Sequence, residues 1–212
     1  MKKLTVLCAM LCIAGGAFAI PDLEFSPGGR TPGGWAYDGI NTFSFSQTID
    51  IDAVLGAQTD ALYDMFVVLP NLTLTSYVQG PIPGAGVGTI AGGGIVEIQD
   101  TAGNVLVSGV LSGGNFYAIF GASAFYPEIA TEILITQVNN TVGSNYLNGL
   151  SAGMFFDLSL SLQASADFDT IIQSGQTASN GFSGSFTAII PEPATLSILG
   201  LGGMLLLRRK HR

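Results

Sequence analysis

Residues 156–162 read Phe-Asp-Leu-Ser-Leu-Ser-Leu, a strict alternation of apolar and polar side chains. A period of two places the apolar side chains on one face of a β-strand and the polar ones on the other. The same alternation recurs from Phe43 to Asp52 and from Phe182 to Ile190. These segments therefore predict strands that cover a core with one face and meet solvent with the other.

Less regular apolar runs predict further strands, and segments rich in Gly, Pro and Asn predict the connections between them. The additional strands are expected at 63–69, 72–78, 95–99, 105–111, 116–120 and 132–138. Turns are expected at 100–104 and 112–115, and irregular loops at 26–34 and 79–94. No segment between residues 20 and 190 keeps the period of a helix. The sequence thus predicts an all-β domain, a β-sandwich or jelly roll, with an open barrel as the alternative.

The composition of residues 20–190 limits the chemistry available to this domain. The segment has fourteen carboxylates and one cation, Arg30, but no Lys, His or Cys. Catalytic triads, Cys–His dyads, lysine Schiff bases and histidine-ligated metals are therefore excluded within it. Nucleic acid is not an expected partner, because phosphate binding needs clustered cations. We expect a domain that is not an enzyme and carries no cofactor, with calcium as an open alternative.

Two pairs of aspartates are the candidates for a calcium site. Asp50 and Asp52 lie two residues apart, as do Asp167 and Asp169, so each pair would point the same way from a strand. Calcium prefers clustered carboxylate oxygens. An apolar residue follows each pair where a third ligand would stand. A solvated polar face is therefore the interpretation that we favour for both pairs.

Two further features are candidates for carbohydrate chemistry. Trp35 and Tyr37 can form a sugar-stacking face, although we favour a place in the core because aromatic side chains dominate burial. Arg30 can clamp a carboxylate, although a loop ion pair is the preferred interpretation. Glycoside hydrolysis needs only two facing carboxylates, so a carboxylate-based hydrolase stays open as the least favoured function.

Residues 1–19 have the three parts of a secretory signal peptide. Lys2 and Lys3 precede the apolar run Leu4–Ala14, and Ala17-Phe18-Ala19 supplies the small residues that a signal peptidase accommodates. We expect cleavage after Ala19, which leaves residues 20–190 as a single exported domain followed by the tail 191–212.

The tail combines a rigid triplet, an apolar run and a basic cluster. Pro191-Glu192-Pro193 is followed by the uncharged run Ala194–Leu207 and then by Arg208-Arg209-Lys210. As a helix the apolar run would span roughly 21 Å at ~1.5 Å per residue, and snorkelling arginine stems would help it across a bilayer core of ~30 Å. The cations are expected to stay cytoplasmic. The tail is therefore predicted to be a transmembrane helix in the inner membrane.

This combination resembles the PEP-CTERM sorting signal of exported proteins in Gram-negative bacteria. The resemblance rests on Pro191-Glu192-Pro193, the glycine-containing apolar run and Arg208-Arg209-Lys210, which together cover about a tenth of the chain. It implies recognition by an exosortase, a membrane-embedded protease-like enzyme, and an association with exopolysaccharide and the biofilm matrix. It implies nothing about residues 20–190.

We therefore expect an exported cell-surface or matrix protein with a structural or adhesive role. Pro191, Glu192 and Pro193 would serve recognition by the exosortase, and the basic cluster would orient the tail. The domain would be periplasmic while the tail is anchored, and would then reach the cell surface or the medium. The alternatives are a carbohydrate-binding module for the producer's polysaccharide and, less favoured, a glycoside hydrolase.

Overall fold

The computed structural model describes residues 23–27, 33–54, 60–118, 127–164 and 167–189, all within the unit Pro21–Ile189. The predicted signal peptide, Arg30, the triplet Pro191-Glu192-Pro193 and the cluster Arg208-Arg209-Lys210 lie outside these residues. None of the helices among the described residues combines the length and the hydrophobicity that a membrane span requires.

Strands dominate the described residues, and the predicted all-β class is confirmed. The first seven are β1 (Leu23–Ser26), β2 (Trp35–Tyr37), β3 (Thr42–Phe45), β4 (Ile49–Val54), β5 (Phe66–Val68), β6 (Leu72–Gln79) and β7 (Gly86–Ile90). The others are β8 (Ile95–Gln99), β9 (Val105–Ala118), β10 (Glu128–Val138), β11 (Phe155–Leu162), β12 (Ala178–Asn180) and β13 (Phe182–Ile189). Short helices interrupt them: a 3-10 helix (Ala61–Asp64), α1 (Asn145–Asn148) and α2 (Phe168–Ser174).

Eight strands close into an antiparallel barrel in the order β9, β10, β11, β13, β1, β4, β5 and β8. Closure depends on β9, because one of its edges pairs with β10 while the other edge pairs with β8 along its first half and with β7 along its second half. The strands β7, β6, β3, β2 and β12 continue from β9 as a five-stranded extension. The two-layered sandwich or jelly roll stays a prediction.

Several predicted elements are confirmed. Strands form where 72–78, 95–99, 132–138, 156–162 and 182–190 were expected, within a few residues at each end. The turn at 100–104 forms as well: Asp100 Oδ1 accepts the backbone N–H groups of Ala102 and Asn104 at 2.9 and 2.8 Å. At these positions the alternating pattern and the turn chemistry indicated the correct elements.

The turn predicted at 112–115 is wrong, because β9 runs through it as one strand of 14 residues. Gly113 has a φ of 96°, which bends the strand without ending it. A Cβ on Gly114 would lie 2.1 Å from the carbonyl oxygen of Ala130. Glycine is thus used here for the close approach of β9 and β10, where the sequence suggested a reversal of the chain.

Three other predictions also differ from the structure. The loop expected at 79–94 contains β7, where Gly86 makes room for the ring of Tyr77 on the neighbouring strand. The run from Phe43 to Asp52 forms two strands, β3 and β4, and not one. The helices escaped detection because they are too short to show a period; α2, for example, is recognisable only by its capping residues, Asp167 and Gly175.

Two groups of side chains form the core. Inside the barrel, a remaining cavity of about 10 Å³ is lined by residues that include Val96, Ile133 and Phe156. Side chains therefore fill the interior of the eight-stranded barrel. The second group is an aromatic cluster that joins the extension to β9 and α2. Its members are Trp35, Tyr37, Phe43, Phe116 and Phe168, with ring centroids 5.1–6.2 Å apart in the contacting pairs.

Candidate functional site

A groove of about 460 Å³ lies on the outer wall of the barrel, over β11, β13, β1 and β4. Its volume falls within the ~300–1,000 Å³ typical of sites for small molecules. The polar side chains that line it are Glu24, Ser26, Asp52, Ser159, Ser161, Ser183 and Ser185. This serine-lined groove is the candidate functional site.

The alternating pattern of β11 and β13 explains why hydroxyl groups collect on this wall. Apolar side chains such as Leu158, Leu160 and Phe186 are buried, so the serines between them face outward. Antiparallel pairing then places Ser159 opposite Ser185 and Ser161 opposite Ser183. The sequence predicted outward-facing serines on both strands, but not that the two strands are neighbours.

The floor of the groove is held by a contact between a ring and a glycine. The Phe25 ring is 1% exposed and lies under Gly184, where a Cβ would meet Phe25 Cζ at 2.4 Å. The same ring lies 4.9 Å from that of Phe186, measured between centroids. These contacts fix β1 against β13 and so fix the spacing of the polar side chains above them.

The groove is acidic and contains no neutralising cation among the described residues. Ser26 donates a hydrogen bond to Asp52, and Ser159 Oγ donates to Glu128 Oε1 at 3.1 Å beside the groove. The described residues include thirteen carboxylates and no Lys, Arg or His. Hydroxyl groups that donate and accept, combined with carboxylates that only accept, suit ligands rich in hydroxyl or ammonium groups and repel anions.

The strand β1 supplies Glu24 and Ser26, and sequence reasoning missed both residues. Leu23-Glu24-Phe25-Ser26 does alternate in polarity, which was the available signal. A strand of four residues between two nearby prolines is too short for the pattern to stand out. Tertiary pairing with β13 and β4 stabilises this short strand.

Trp35 and Tyr37 are core residues, as favoured over the sugar-stacking alternative. They are 2% and 1% exposed. The Trp35 indole donates from Nε1 to the carbonyl oxygen of Gln163 at 3.0 Å, which satisfies its polar group inside the protein. Neither ring offers a face to an external ligand.

The first aspartate pair does not form the shared polar face that the spacing predicted. Asp50 is 2% exposed and lies opposite Ser26 in the ladder, whereas Asp52 is exposed and joins the groove. The register between β1 and β4 shifts at Glu24 and Phe25, which is a β-bulge. The bulge changes the direction of the strand and separates the two environments.

The second pair, Asp167 and Asp169, begins α2 and does not lie on a strand. Asp167 accepts the backbone N–H of Asp169 at 3.0 Å as a helix cap. Asp169 is buried and accepts from the side-chain amides of Gln79 at 2.6 Å and Gln173 at 2.9 Å. The predicted solvated face is therefore wrong for Asp169, whose carboxylate ties α2 to β6.

Burial and the adjacent Asp169 carboxylate shift the acidity of a neighbouring phenol. Burial, with a further contribution from the negative charge of the nearby Asp169 carboxylate, raises the pKa of the Tyr77 hydroxyl above its ordinary value. The phenol therefore stays protonated over the physiological range. The arrangement has the features of a structural polar cluster, since two side-chain amides donate to one buried carboxylate.

Metal binding receives no support from the described residues, among which no three His, Cys, Asp or Glu side chains gather. Arg30 and the residues assigned to sorting, Pro191-Glu192-Pro193 and Arg208-Arg209-Lys210, lie outside the described ranges. Searches of family models, curated proteins and solved structures give no match to this chain.

Proposed function

We propose that this chain is an exported, non-enzymatic surface or matrix protein, sorted through its C-terminal segment, whose β-domain associates with exopolysaccharide. The serine-lined groove is the observation that carries the proposal, because its hydroxyl and carboxylate groups match the hydrogen-bonding groups of a glycan. The signal-peptide pattern and the Pro191-Glu192-Pro193 tail support export and sorting.

The barrel suits a structural role outside the cell. Closure pairs both edges of each barrel strand, which protects against edge-to-edge aggregation. We also propose that the extension folds over the barrel as the second layer of a jelly-roll-like sandwich. One connection and one contact support this: Gly181 alone separates β12 from β13, and the ring centroids of Phe45 and Phe182 lie 5.2 Å apart.

Sorting is tested by changing the central residue of the triplet. Glu192→Ala should leave the tail uncut and the protein in the inner-membrane fraction, whereas the unchanged chain should reach the surface or medium. Glu132→Ala removes the same charge from an exposed strand position and serves as the matched control. Identical size and location of all three proteins would contradict the sorting proposal.

A carbohydrate-binding module is the second candidate function, and the groove is the observation in its favour. Retention on a gel loaded with the producer's polysaccharide should weaken for Ser185→Ala, which removes a hydroxyl from the groove. Thr187→Ala removes an exposed hydroxyl from the same strand outside the groove and is the control. Equal retention of both variants and the unchanged chain would count against this function.

One observation favours the alternative of a glycoside hydrolase: Glu24 and Asp52 line the same groove. Two carboxylates beside one glycosidic bond are the minimum for that chemistry. We expect no release of reducing ends from the polysaccharide. If the unchanged chain released reducing ends and the Glu24→Gln variant did not, the groove would be a catalytic site and not a binding site.

A further inference from the structure

Polar side chains of the groove, together with Glu128 beside it, form two rows that cross the strands. One row is Ser159, Ser185 and Glu24, which are successive partners on β11, β13 and β1. The other row is Glu128, Ser161 and Ser183, which are successive partners on β10, β11 and β13. Neighbours in a row are ~4.8 Å apart, and the rows are separated by two residues, about 7 Å.

Two such rows form a track with hydrogen-bonding groups on both sides. A polymer lying across the strands can meet a hydroxyl or carboxylate at each strand, which a compact ligand cannot do. A carboxylate lies towards each end of the track: Glu128 on β10 at one end, and Glu24 on β1 with Asp52 on β4 at the other. The serine hydroxyl groups occupy the middle.

The charge of the track is not balanced by any described residue. Carboxylates and hydroxyl groups are the described polar side chains of the two rows, so ligand ammonium groups would be the natural counter-charges. A glycan with free amino groups offers ammonium groups that can meet the carboxylates and hydroxyl groups that can meet the serines. A glycan bearing carboxylate or sulfate groups would be repelled.

We propose that the serine-lined groove binds an amine-bearing polysaccharide, a hexosamine polymer with part of its amino groups free. This inference rests on the proposed carbohydrate-binding function and adds the chemical class of the ligand. Glu24 and Asp52 contact the ammonium groups, and Ser159, Ser183 and Ser185 contact the sugar hydroxyls.

The test is calorimetric titration of the purified full chain, held in a detergent without sugar headgroups. The probes are a chitosan oligosaccharide, its fully N-acetylated counterpart and a cello-oligosaccharide, at a pH at which the free amines are protonated. We expect binding of the chitosan oligomer and a much weaker signal for the two neutral oligomers. Higher salt should weaken the binding, because it screens the charges.

The site is tested with two double variants of equal charge change. Glu24→Gln with Asp52→Asn should raise the Kd for the chitosan oligomer about tenfold or more, as expected for lost charge-assisted hydrogen bonds. Glu132→Gln with Asp157→Asn alters two exposed carboxylates on β10 and β11, outside the groove, and should leave the Kd nearly unchanged. Equal weakening by both pairs would mean non-specific attraction to an acidic protein and would overturn the proposal.

A third variant keeps the test decisive if the groove carboxylates are needed for folding. Ser183→Ala with Ser185→Ala leaves every charge in place and should also weaken binding, while the emission of buried Trp35 reports that the fold is kept. Binding of the neutral oligomers as strong as that of chitosan, lost in this variant, would overturn the ammonium inference alone. No binding of any oligomer would overturn both this inference and the carbohydrate-binding function.

Discussion

Asp60 shows how a carboxylate with no cationic partner among the described residues is kept charged inside this domain. It is 5% exposed, and its two oxygens accept the backbone N–H groups of Leu62 and Tyr146, each at 3.0 Å. Burial acts to raise the pKa of Asp60, but the hydrogen bonds from Ser144 and from the backbone outweigh it and hold the pKa below its usual value. One side chain thus caps the 3-10 helix and fixes α1 to it.

The lowered pKa of Asp60 predicts a specific loss of stability in acid. Because the folded pKa lies below the unfolded value of about 3.9, the contribution is complete above that pH and is lost as the pH falls through the folded pKa. Asp60→Ala should lower the free energy of unfolding at pH 7 by about 2–4 kcal/mol, since two buried N–H groups lose their acceptor. Its stability should also fall less steeply below about pH 4.

Urea unfolding at a series of pH values measures both effects. Asp157→Ala, at an exposed strand position, is the control and should stay within about 0.5 kcal/mol of the unchanged chain. The loop carboxylate of Asp38 should still contribute in the acid range, because N–H donation from Thr42, Ile40 and Asn41 lowers its pKa to about 2. An Asp60→Ala variant as stable as the control would contradict this account of the carboxylate.

Gly114 tests the close approach of β9 and β10. Gly114→Ala should destabilise the domain by about 2–3 kcal/mol or more, because the new methyl group meets the backbone of Ala130 and Thr131, which cannot move aside as a side chain can. Gly103→Ala, in the exposed turn with nothing within 4 Å of the added Cβ, should cost only about 1–2 kcal/mol for its positive φ. Thermal unfolding compares the two, and an equal cost would show that packing at Gly114 is not the reason for the glycine.

At the scale of elements, Phe168 attaches α2 to the aromatic cluster, in addition to the polar contact between Asp169 and β6. Phe168 is 1% exposed and contacts four rings of the aromatic cluster, including that of Trp35 at 5.4 Å between centroids. Phe168→Ala should lower the free energy of unfolding by about 3–5 kcal/mol. It should also shift the emission of Trp35, the only tryptophan in the chain, to longer wavelength.

The matched control for this change is an exposed phenylalanine. Phe155 is 41% exposed at the start of β11, so Phe155→Ala should cost much less and leave the Trp35 emission unchanged. A similar loss of stability in both variants would mean that the aromatic cluster is not the principal attachment of α2.

Elements that are determined by their own residues could be predicted from the sequence, whereas elements that depend on contacts with distant strands could not. The strand β11 was predicted correctly because its own alternation of Phe, Leu and Ser determines which face is buried. The continuity of β9 was missed because Gly114 is required by a close approach to β10 and Gly113 approaches the backbone of Ile90 and Gly92, and no local pattern encodes either contact. The groove was missed for the same reason: its serines were visible in the sequence, but their neighbours across β13 and β1 were not.

At the scale of the whole molecule, charge is the dominant feature. The described residues hold thirteen carboxylates and no cation, so mutual repulsion opposes the folded state at low ionic strength. Raising NaCl from about 0.02 M to about 0.5 M should therefore raise the melting temperature by roughly 2–8 °C, because the Debye length falls well below the size of the domain.

Calorimetric scans at matched ionic strength separate screening from specific binding. NaCl and choline chloride should act alike, and CaCl2 should do no more than its ionic strength accounts for. A melting temperature that falls with salt would contradict the repulsion argument, and an added effect of calcium at low concentration would show a site for that ion.

The central claim is that both ends of the chain are targeting segments that are cleaved from a β-domain. Intact-mass spectrometry of the protein recovered from the cell surface and medium tests this claim most directly. We predict a mature species that begins at Ile20 and ends at or near Pro191-Glu192-Pro193, without Arg208–Arg212. Recovery of a water-soluble species that keeps the complete tail through Arg212 would contradict the account.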